Sequence, residues 1–360
     1  MLRFHPLKVA ELRVEPKEAI YLTLAVPAAL RGEYRFAAGQ HIGLRIMLGG
    51  EEVRRTYSLV NTSDEDALQI AVRLHGRGRM SEFLARDVRV GDTLEVLTPN
   101  GSFHSRLDTQ LGRTVVAFAA GCGITPVMSI ARTLLRTTPD SRMLLFYANR
   151  STGRIMLLEE LQALKDQHLQ RLSLHFLFSG EPQEVELFNG HLDRSKIREL
   201  ASSLFRPLAV DEYFICGPGD MNEQVSAALL ELGVAPKRIH SELFTVSGVP
   251  EAAPIAVEVA ATREQAEVTT VTVLMDGRRR SFEMPRDGET VLEAAEGAGF
   301  DLPFSCRAGV CSTCRTKVVK GAVEMAQNYA LEPWEVEAGF VLACQSRPTT
   351  PQLEVSYDER

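Results

Sequence analysis

The chain has 360 residues, of which 45% are hydrophobic and 24% charged, and its formal net charge is −7. This length suits two or three globular domains, and the negative charge argues against nucleic acid or an anionic membrane as the main partner. The sequence contains no apolar run long enough to span a bilayer and begins without the apolar segment of a secretory signal. We therefore expect a cytoplasmic protein with neither a nucleic-acid nor a membrane partner.

Residues 1–110 are predicted to form a β domain, because short alternating runs are separated by glycine, proline and asparagine. Alternation along one predicted strand places Arg55, Tyr57 and Leu59 on the same face. A flavin requires a flat aromatic side chain, polar hydrogen-bond partners and a cation for its phosphate. Arg55, Tyr57 and Ser58 could supply all three.

A second basic segment of this domain contains Arg73, a glycine-rich run over residues 76–80 and then Ser81. Ser81 is predicted to be the N-cap of a short helix, and the N-terminus of that helix could receive a diphosphate. Taken alone, either segment fits a barrel strand with a solvated basic turn at least as well.

Residues 111–246 have a different pattern, in which buried strands alternate with helices. The strands are predicted at 115–119, 143–147, 173–178 and 212–216, and the helices at 128–135, 156–169 and 221–232. This alternation is typical of a doubly wound parallel sheet with helices on both faces.

Two glycine-rich turns follow strands of this second domain, at the sheet edge where α/β proteins bind ligands. The first turn contains Gly121, Gly123 and Thr125, and the second contains Gly217 and Pro218. Glycines let the backbone approach a pyrophosphate closely, although the first turn lacks the Rossmann pattern of glycines. The cysteine in each turn has no partnered histidine, so we expect a small buried residue and not a nucleophile.

Residues 247–268 are rich in Ala, Val, Glu and Pro, and are predicted to be an interdomain linker. Residues 269–360 form a third unit, which opens with two strands joined by a turn at Asp276 and Gly277. Trp334, in this unit, is expected to pack into its interior.

The third unit contains four cysteines with the spacing Cys306-x4-Cys311-x2-Cys314, followed far downstream by Cys344. This is the plant-type ligand spacing of a [2Fe–2S] cluster. Gly309 permits the positive φ with which a tight loop can wrap its amides around the sulfides. A four-cysteine zinc site is the alternative, but such sites usually contain two Cys-x2-Cys pairs and this chain has one.

Taken together, these motifs resemble the ferredoxin–NADP reductase superfamily, in the branch that ends in a plant-type ferredoxin. The resemblance implies a multidomain β, α/β and α+β protein: an FAD-binding β-barrel, a nucleotide-binding doubly wound sheet and a C-terminal β-grasp ferredoxin domain. It also implies an NAD(P)H-dependent oxidoreductase that passes electrons through FAD and a [2Fe–2S] cluster to a partner oxygenase.

The resemblance assigns a role to each candidate residue of this chain. Ser58, Cys216 and Glu242 would act at the meeting point of flavin and nicotinamide. The cofactor-binding residues would be Arg55, Tyr57, Ser58, Arg73, Gly78, Ser81, Gly121, Gly123, Thr125, Arg150, Gly217, Pro218 and Phe244. The cluster ligands would be Cys306, Cys311, Cys314 and Cys344.

Within this branch, residues 146–151, 188–193 and 240–244 are most similar to the reductase subfamily of phenylacetyl-CoA epoxidases. Reductases of steroid and carnitine hydroxylases, or of Rieske-type oxygenases, share the layout and remain alternatives. NADPH-specific members often have Ser-Arg where this chain has Ser179-Gly180, and Gly-Arg where it has Gly190-His191. We expect NADPH, with Arg150 holding the 2′-phosphate and NADH as the alternative. A non-catalytic flavin and iron–sulfur sensor is the rival from another functional class.

Overall fold

The computed structural model describes residues 2–15, 19–74, 78–104, 112–244, 255–259 and 268–359. The chain divides into two compact units, one of residues 4–249 and one of residues 1–3 with 250–360. The first unit contains an antiparallel and a parallel sheet, and the second contains a mixed sheet. This arrangement confirms the multidomain β, α/β and α+β fold class.

The antiparallel sheet has the strand order β4-β3-β6-β1-β2-β5. Its elements are β1 (Phe4–Glu15), β2 (Ala19–Ala25), β3 (His41–Leu48), β4 (Glu51–Ser58), β5 (Ala67–Arg73), helix α1 (Arg79–Arg86) and β6 (Thr93–Leu97). Alternate side chains of the strands, among them Leu22 and Leu44, are buried and form the core. The sheet curls into a barrel where Leu59 bridges Ile70 of β5.

The parallel sheet has the strand order β11-β10-β7-β8-β9. Its elements are β7 (Thr114–Ala120), α2 (Ile124–Thr137), β8 (Arg142–Asn149), α3 (Leu158–Gln167), β9 (Leu172–Phe178), α4 (Arg194–Leu204), β10 (Glu212–Gly217), α5 (Gly219–Glu231) and β11 (Ile239–Leu243). Helices α2 and α3 share one core, and α4 and α5 share another. The sheet is therefore doubly wound, and its order reverses between β7 and β10, where such sheets bind ligands.

The barrel and the parallel-sheet domain share an apolar core that includes Val60 and Phe103, and hydrogen bonds that involve the backbone also join them. Ser129 Oγ of α2 donates to Asn61 O at 2.7 Å, and the Arg132 guanidinium donates to Val60 O at 2.9 Å. Leu157 N donates to Tyr21 Oη at 3.3 Å. These three hydrogen bonds hold the barrel against the parallel-sheet domain.

The second unit has a sheet with the order β12-β15-β18-β13-β14, and β16 and β17 also pair with β15. Its elements are β12 (Ile255–Val259), β13 (Val268–Met275), β14 (Arg278–Pro285), α6 (Val291–Gly297), β15 (Arg315–Met325), α7 (Pro333–Glu337), β16 (Phe340–Leu342), β17 (Ser346–Pro348) and β18 (Gln352–Ser356). The parallel pair β13–β18 lies among antiparallel neighbours, and α6 packs against the sheet, which is the expected β-grasp arrangement.

The predicted linker contains a strand of this sheet. β12 pairs with β15 from Ile255 opposite Met325 to Val259 opposite Gly321. The turn predicted at Asp276 and Gly277 is present, with φ values of 54° and 68°. The domain boundaries at residues 110, 246 and 268 stay a prediction, and most of the predicted linker lies outside the described residues.

Candidate functional site

The predicted flavin residues lie at the end of β4, but their side chains differ in exposure to solvent. Arg55 is exposed, Tyr57 is half-buried and Leu59 is buried. Burial raises the pKa of the Tyr57 hydroxyl, which therefore stays protonated. Arg55 Nη1 donates to Arg54 O at 2.7 Å, so its guanidinium remains at the surface. An exposed cation beside a half-buried aromatic ring suits a flavin with its ring inward and its phosphate outward.

The second predicted flavin segment differs from the expectation at one position. Gly78, in extended conformation, is the N-cap of α1, whereas Ser81 lies within the first turn of the helix. The Ser81 hydroxyl donates to Gly78 O at 2.9 Å. The prediction that Ser81 is the N-cap was therefore wrong, because glycine also occupies this position readily. Gly76 and Arg77 lie outside the described residues.

A cavity of about 320 Å³ opens at the carboxyl edge of the parallel sheet. It is lined by the segments after β7, β8, β9 and β10, together with Arg73 of the barrel and Phe244 after β11. The lining residues are Arg73, Ala120, Gly121, Cys122, Gly123, Ala148, Asn149, Arg150, Arg154, Ser179, Gly190, His191, Gly217, Pro218 and Phe244. The structure thus brings together most of the residues that the sequence assigned to the nucleotide.

Close packing explains why glycine occupies positions 123 and 217. A Cβ atom at residue 123 would lie 2.0 Å from Cys216 O, and one at residue 217 would lie 2.5 Å from Met221 Cε. The turns after β7 and β10 therefore pack directly on each other. Thr125 is not among the cavity residues, because its side chain is buried and donates to Cys122 O at 3.0 Å.

Arg73 belongs to the barrel but lines this cavity. Its guanidinium donates to Arg154 O at 2.8 Å, which ties β5 to the loop after β8. Arg150, Arg154 and His191 add further basic side chains to the cavity wall. A nucleotide carries several phosphates, so a cavity lined by basic side chains from both the barrel and the parallel-sheet domain suits it electrostatically.

The Arg150 side chain lies across Gly180. A Cβ atom at residue 180 would approach Arg150 Cγ to 3.0 Å, and Gly180 N donates to Arg150 O at 2.9 Å. The glycine at position 180 therefore leaves room for the Arg150 side chain.

Cys216, Glu242 and Phe244 are brought together at the ends of β10 and β11. Cys216 is fully buried and pairs with Glu242 between the strands. Burial and the neighbouring Glu242 carboxylate raise the pKa of the Cys216 thiol well above its usual value. A thiol that stays protonated can position a ligand but is a poor nucleophile, as expected.

The sequence reasoning missed two residues of this region. His41 on β3 is buried beside Glu242, with Nδ1 at 3.7 Å from Glu242 Oε1, and it pairs with Ser58 across the barrel sheet. Arg154 lines the nucleotide cavity. A single histidine on a strand has no periodic signal, so only its position opposite Ser58 could have suggested it.

The four cysteines of the second unit meet in two pairs of thiols. Cys306 interacts with Cys311, and Cys314 interacts with Cys344. The hydrogen bond from the Cys311 thiol, joined by the amides of residues 308, 310 and 311, lowers the pKa of Cys306 to about 5. Two thiols per metal is the arrangement that a [2Fe–2S] cluster requires.

The loop around these thiols has the backbone that a cluster needs. Arg307, Gly309 and Ser312 have φ values of 53°, 74° and 49°, which confirms the expectation for Gly309. Ala308 N lies 3.3 Å from Cys306 Sγ and donates to it. Left-handed residues turn successive amides inward, towards sulfur. The donor set and the loop therefore fit an iron–sulfur cluster.

Trp334 is 61% exposed on α7, so the prediction that it packs into the interior was wrong. The helix is instead fixed by Glu335, which is buried and lies 2.7 Å from Arg315 Nε. In a helix of one turn, inward positions are few, and Glu335 occupies one of them.

A barrel with a flavin-type strand end, a nucleotide cavity and a thiol cage define an electron-transfer oxidoreductase. Comparison with protein families agrees with this class. Residues 7–105 match the oxidoreductase FAD-binding domain, residues 118–227 the oxidoreductase NAD-binding domain and residues 273–349 the 2Fe-2S iron-sulfur cluster binding domain.

Individual proteins are similar over the whole chain. One of the subunits of 1,2-phenylacetyl-CoA epoxidase from Escherichia coli is 39% identical, with 100% of this chain and 99% of the relative covered. The ferredoxin reductase component of 3-ketosteroid-9-alpha-monooxygenase from Rhodococcus rhodochrous is 34% identical, with 98% and 96% covered. The structure of phthalate dioxygenase reductase has the same fold, with a TM-score of 0.59, 24% identity and 98% of both chains covered.

The chain therefore belongs to the family of flavin- and [2Fe–2S]-containing reductases that are built from these three domains in this order. It contains FAD-binding, NAD-binding and iron–sulfur domains and is an NAD(P)H-dependent oxidoreductase. In the part of the chain that the structure describes, none of the helices is long and apolar enough to cross a membrane.

Proposed function

We propose that this protein is the reductase component of a multicomponent oxygenase and that it works in the cytoplasm. The observation that carries the proposal is the order of flavin, nucleotide and iron–sulfur domains on one chain, matched over nearly its whole length by the ferredoxin reductase component of a monooxygenase. Electrons would enter from NAD(P)H and leave from the cluster to an oxygenase. The cytoplasm suits this function because the four cluster ligands must remain thiolates.

The barrel residues would hold FAD. Tyr57 would lie against the isoalloxazine ring, Ser58 would contact its polar edge, and Arg55 would neutralise the phosphate. Gly78, at the N-terminus of α1, would offer its amide, and Arg73 would bridge to the nucleotide. When bound, the flavin accepts two electrons together and releases them singly, which joins nucleotide chemistry to the cluster.

The nucleotide domain would orient NAD(P)H in the cavity. The turns with Gly121, Gly123, Gly217 and Pro218 would hold the pyrophosphate, and Phe244 would cover the site of the nicotinamide. Cys216 and Glu242 lie at the inner end, where the nicotinamide would meet the flavin.

We propose NADPH as the nucleotide, with NADH as the alternative. Arg150 is exposed at the cavity wall, and Gly180 leaves space for its side chain. A fixed guanidinium is the group that selects a 2′-phosphate over a hydroxyl.

The cluster would be held by Cys306 and Cys311 on one iron and by Cys314 and Cys344 on the other. This assignment follows the two thiol pairs. The amide of Ala308 would donate to cluster sulfur, and such hydrogen bonds influence the reduction potential.

The oxygenase that we propose as partner is the phenylacetyl-CoA 1,2-epoxidase complex of aerobic phenylacetate degradation. The support is the greater similarity to a subunit of that epoxidase, at 39%, than to the steroid monooxygenase reductases, at 31–34%. The test combines the purified reductase and NADPH with the remaining epoxidase subunits and phenylacetyl-CoA, and measures epoxide formation. Absence of product, with a reductase that still reduces ferricyanide, would exclude this partner.

The second candidate is the reductase of a steroid-hydroxylating oxygenase, favoured by the 34% identity over nearly the whole chain. The same assay with that oxygenase and its steroid distinguishes the two, because the reductase should support only its own partner efficiently. A flavin and iron–sulfur sensor would instead fail to oxidise NADPH with ferricyanide as acceptor.

A further inference from the structure

The iron–sulfur unit encloses two hydroxyl groups close to its cysteine ligands. Among the residues of this unit that the structure describes, Ser305 Oγ and Tyr357 Oη are the buried hydroxyl oxygens without a hydrogen-bond partner. Ser305 directly precedes Cys306, and Tyr357 directly follows β18. A buried hydroxyl without a partner is costly. Two of them around the same thiols therefore indicate a bound group that accepts their hydrogen bonds.

The backbone places Tyr357 opposite the start of β15, which begins one residue after the ligand Cys314. On one side, Thr316 Oγ1 of β15 donates to Ser356 O at 2.9 Å. On the other side, Tyr357 N donates to Leu274 O of β13 at 2.9 Å. Tyr357 is thus held between two strands of the sheet, at the end where the ligand loop enters it.

The Tyr357 side chain packs against the core that contains Cys314 and Cys344. The segments that carry these two ligands are joined by the hydrogen bond that Ala343 N donates to Cys314 O at 3.1 Å. Burial raises the pKa of the Tyr357 hydroxyl well above its usual value, and the neighbouring thiols of Cys314 and Cys344 raise it further. The hydroxyl therefore keeps its proton, as a hydrogen-bond donor must.

The chemistry of the cluster supplies what this hydroxyl lacks. Coordinated thiolates and sulfides carry negative charge and no proton, so they accept hydrogen bonds. Before the cluster is considered, the region around Tyr357 Oη offers thiols and apolar side chains, and the structure gives the hydroxyl no acceptor among them.

We propose that the Tyr357 hydroxyl donates a hydrogen bond to sulfur on the iron held by Cys314 and Cys344, and that this bond raises the reduction potential of the [2Fe–2S] cluster. The inference rests on the proposed function, in which this cluster takes single electrons from the flavin. The reduced cluster carries one more negative charge than the oxidised one, so a donor to its sulfur stabilises the reduced form more. One electron is added and no proton moves, because the hydroxyl keeps its hydrogen throughout.

The first test is a redox titration of the full chain loaded with FAD and cluster, in which electron paramagnetic resonance measures the reduced cluster. The variant is Tyr357→Phe, which removes the hydroxyl and keeps the ring. At a fixed solution potential, the ratio of reduced to oxidised cluster should fall about three- to tenfold, since one charge-assisted hydrogen bond is lost. A tenfold fall corresponds to 59 mV for one electron. An unchanged cluster potential would overturn the proposal.

A second measurement detects the hydrogen bond itself. Resonance Raman spectra of the oxidised cluster are compared in H2O and D2O, because exchange of a hydrogen-bonded proton shifts the iron–sulfur stretching bands. The shift should be smaller in Tyr357→Phe than in the wild type, and equal shifts would overturn the hydrogen bond. If Tyr357→Phe does not assemble a cluster, Tyr357→Leu, which also lacks the hydroxyl, is used in both measurements.

The matched control is Tyr329→Phe, in the same unit. The Tyr329 hydroxyl already has a protein acceptor, since it donates to Gln327 Oε1 at 2.6 Å. The residue also lies beside the ligand loop, where its backbone N donates to Gly309 O at 3.1 Å. This variant should keep the wild-type cluster potential. A shift as large as that of Tyr357→Phe would show that the effect is not specific to Tyr357, and would overturn the assignment.

The inference and the proposed function fail in different ways. If wild-type protein purified without oxygen contains no iron and labile sulfide, the proposed electron route fails and the inference with it. If the wild type contains the cluster and reduces it with NADPH, but Tyr357→Phe keeps the wild-type potential, the inference alone fails.

Discussion

At the scale of single residues, the proposed preference for NADPH rests on Arg150, whose side chain lies across a glycine. Gly180 has no side chain, and Arg150 lies across it. A guanidinium on a neighbouring strand end can reach the 2′-phosphate, provided that residue 180 has no side chain. The pair of positions, and not either one alone, would therefore set the preference.

Arg150→Ala should raise the KM for NADPH about ten- to a hundred-fold, because one charge-assisted contact contributes roughly 1.5–3 kcal/mol. The KM for NADH should change little, since NADH has no 2′-phosphate. Steady-state ferricyanide reduction with each nucleotide measures both. Arg142→Ala, which removes an exposed arginine from the opposite end of β8, is the control. Equal effects on both nucleotides would show that Arg150 does not hold the phosphate.

Cys311→Ser should remove the iron–sulfur absorption and leave the flavin absorption, because the two sites are built from different parts of the chain. Wild-type protein should contain about two irons and two labile sulfides per chain. Cys122→Ser, outside the thiol cage, should retain the iron. Stoichiometric zinc without labile sulfide, after anaerobic purification, would contradict the cluster assignment.

At the scale of elements, β12 is the strand that the sequence did not predict. Its composition of Ala, Val and Glu is typical of a linker, yet Val257 is 6% exposed and pairs with Val323 of β15. The five residues of β12 form a strand because they pair with β15. Local composition does not reveal such a tertiary contact.

Val257→Ala should destabilise the second unit by about 1.5–3 kcal/mol, from lost burial and the resulting cavity. Loss of cluster absorbance in urea reports on this unit alone, and its midpoint should fall. Ala256→Ser, on the exposed side of the same strand, should leave the midpoint nearly unchanged. An unchanged midpoint for Val257→Ala would mean that β12 does not contribute to the stability of the sheet.

The predicted elements that agree with the structure are those with strong local signals. Alternation located the barrel strands, and the change to helical periodicity located the doubly wound domain. Helix α4 (Arg194–Leu204) was missed, and α2 begins at Ile124, ahead of the predicted start. The N-cap of α1 was assigned to Ser81 and not to Gly78, because a hydroxyl residue and a glycine are both favourable there. Which one begins the helix depends on the loop before it.

The candidate site was predictable to the extent that its residues lie in motifs. Spacing gave the four cysteines, and glycine-rich turns gave most of the nucleotide cavity. His41 and Arg154 were not predictable, since each owes its place to contact between strands or loops distant in sequence. The roles of the individual residues remain predictions that the variants above test.

At the scale of the whole molecule, the two compact units suggest a division of labour. A chain that ends at residue 249 retains the complete first unit, which has its own cores. It should fold, bind FAD and reduce ferricyanide, which accepts electrons from flavin. It should reduce cytochrome c poorly and should not support an oxygenase, because those acceptors would be served by the cluster.

This truncation is measured against full-length protein with equal FAD content, so that loss of flavin does not imitate loss of the cluster. Substantial oxygenase turnover by the truncated chain would show that electrons leave directly from the flavin. The series from nucleotide to flavin to cluster would then be wrong.

Trp334 is the single tryptophan of the chain and is 61% exposed. Its fluorescence in the native protein should therefore already resemble that of an indole in water, and unfolding should shift the emission wavelength very little. The usual use of tryptophan emission as a folding probe fails for this protein. A molecule that covers α7 would instead move the emission towards the blue, so the chain carries a natural reporter for complex formation on the iron–sulfur unit, with no added label.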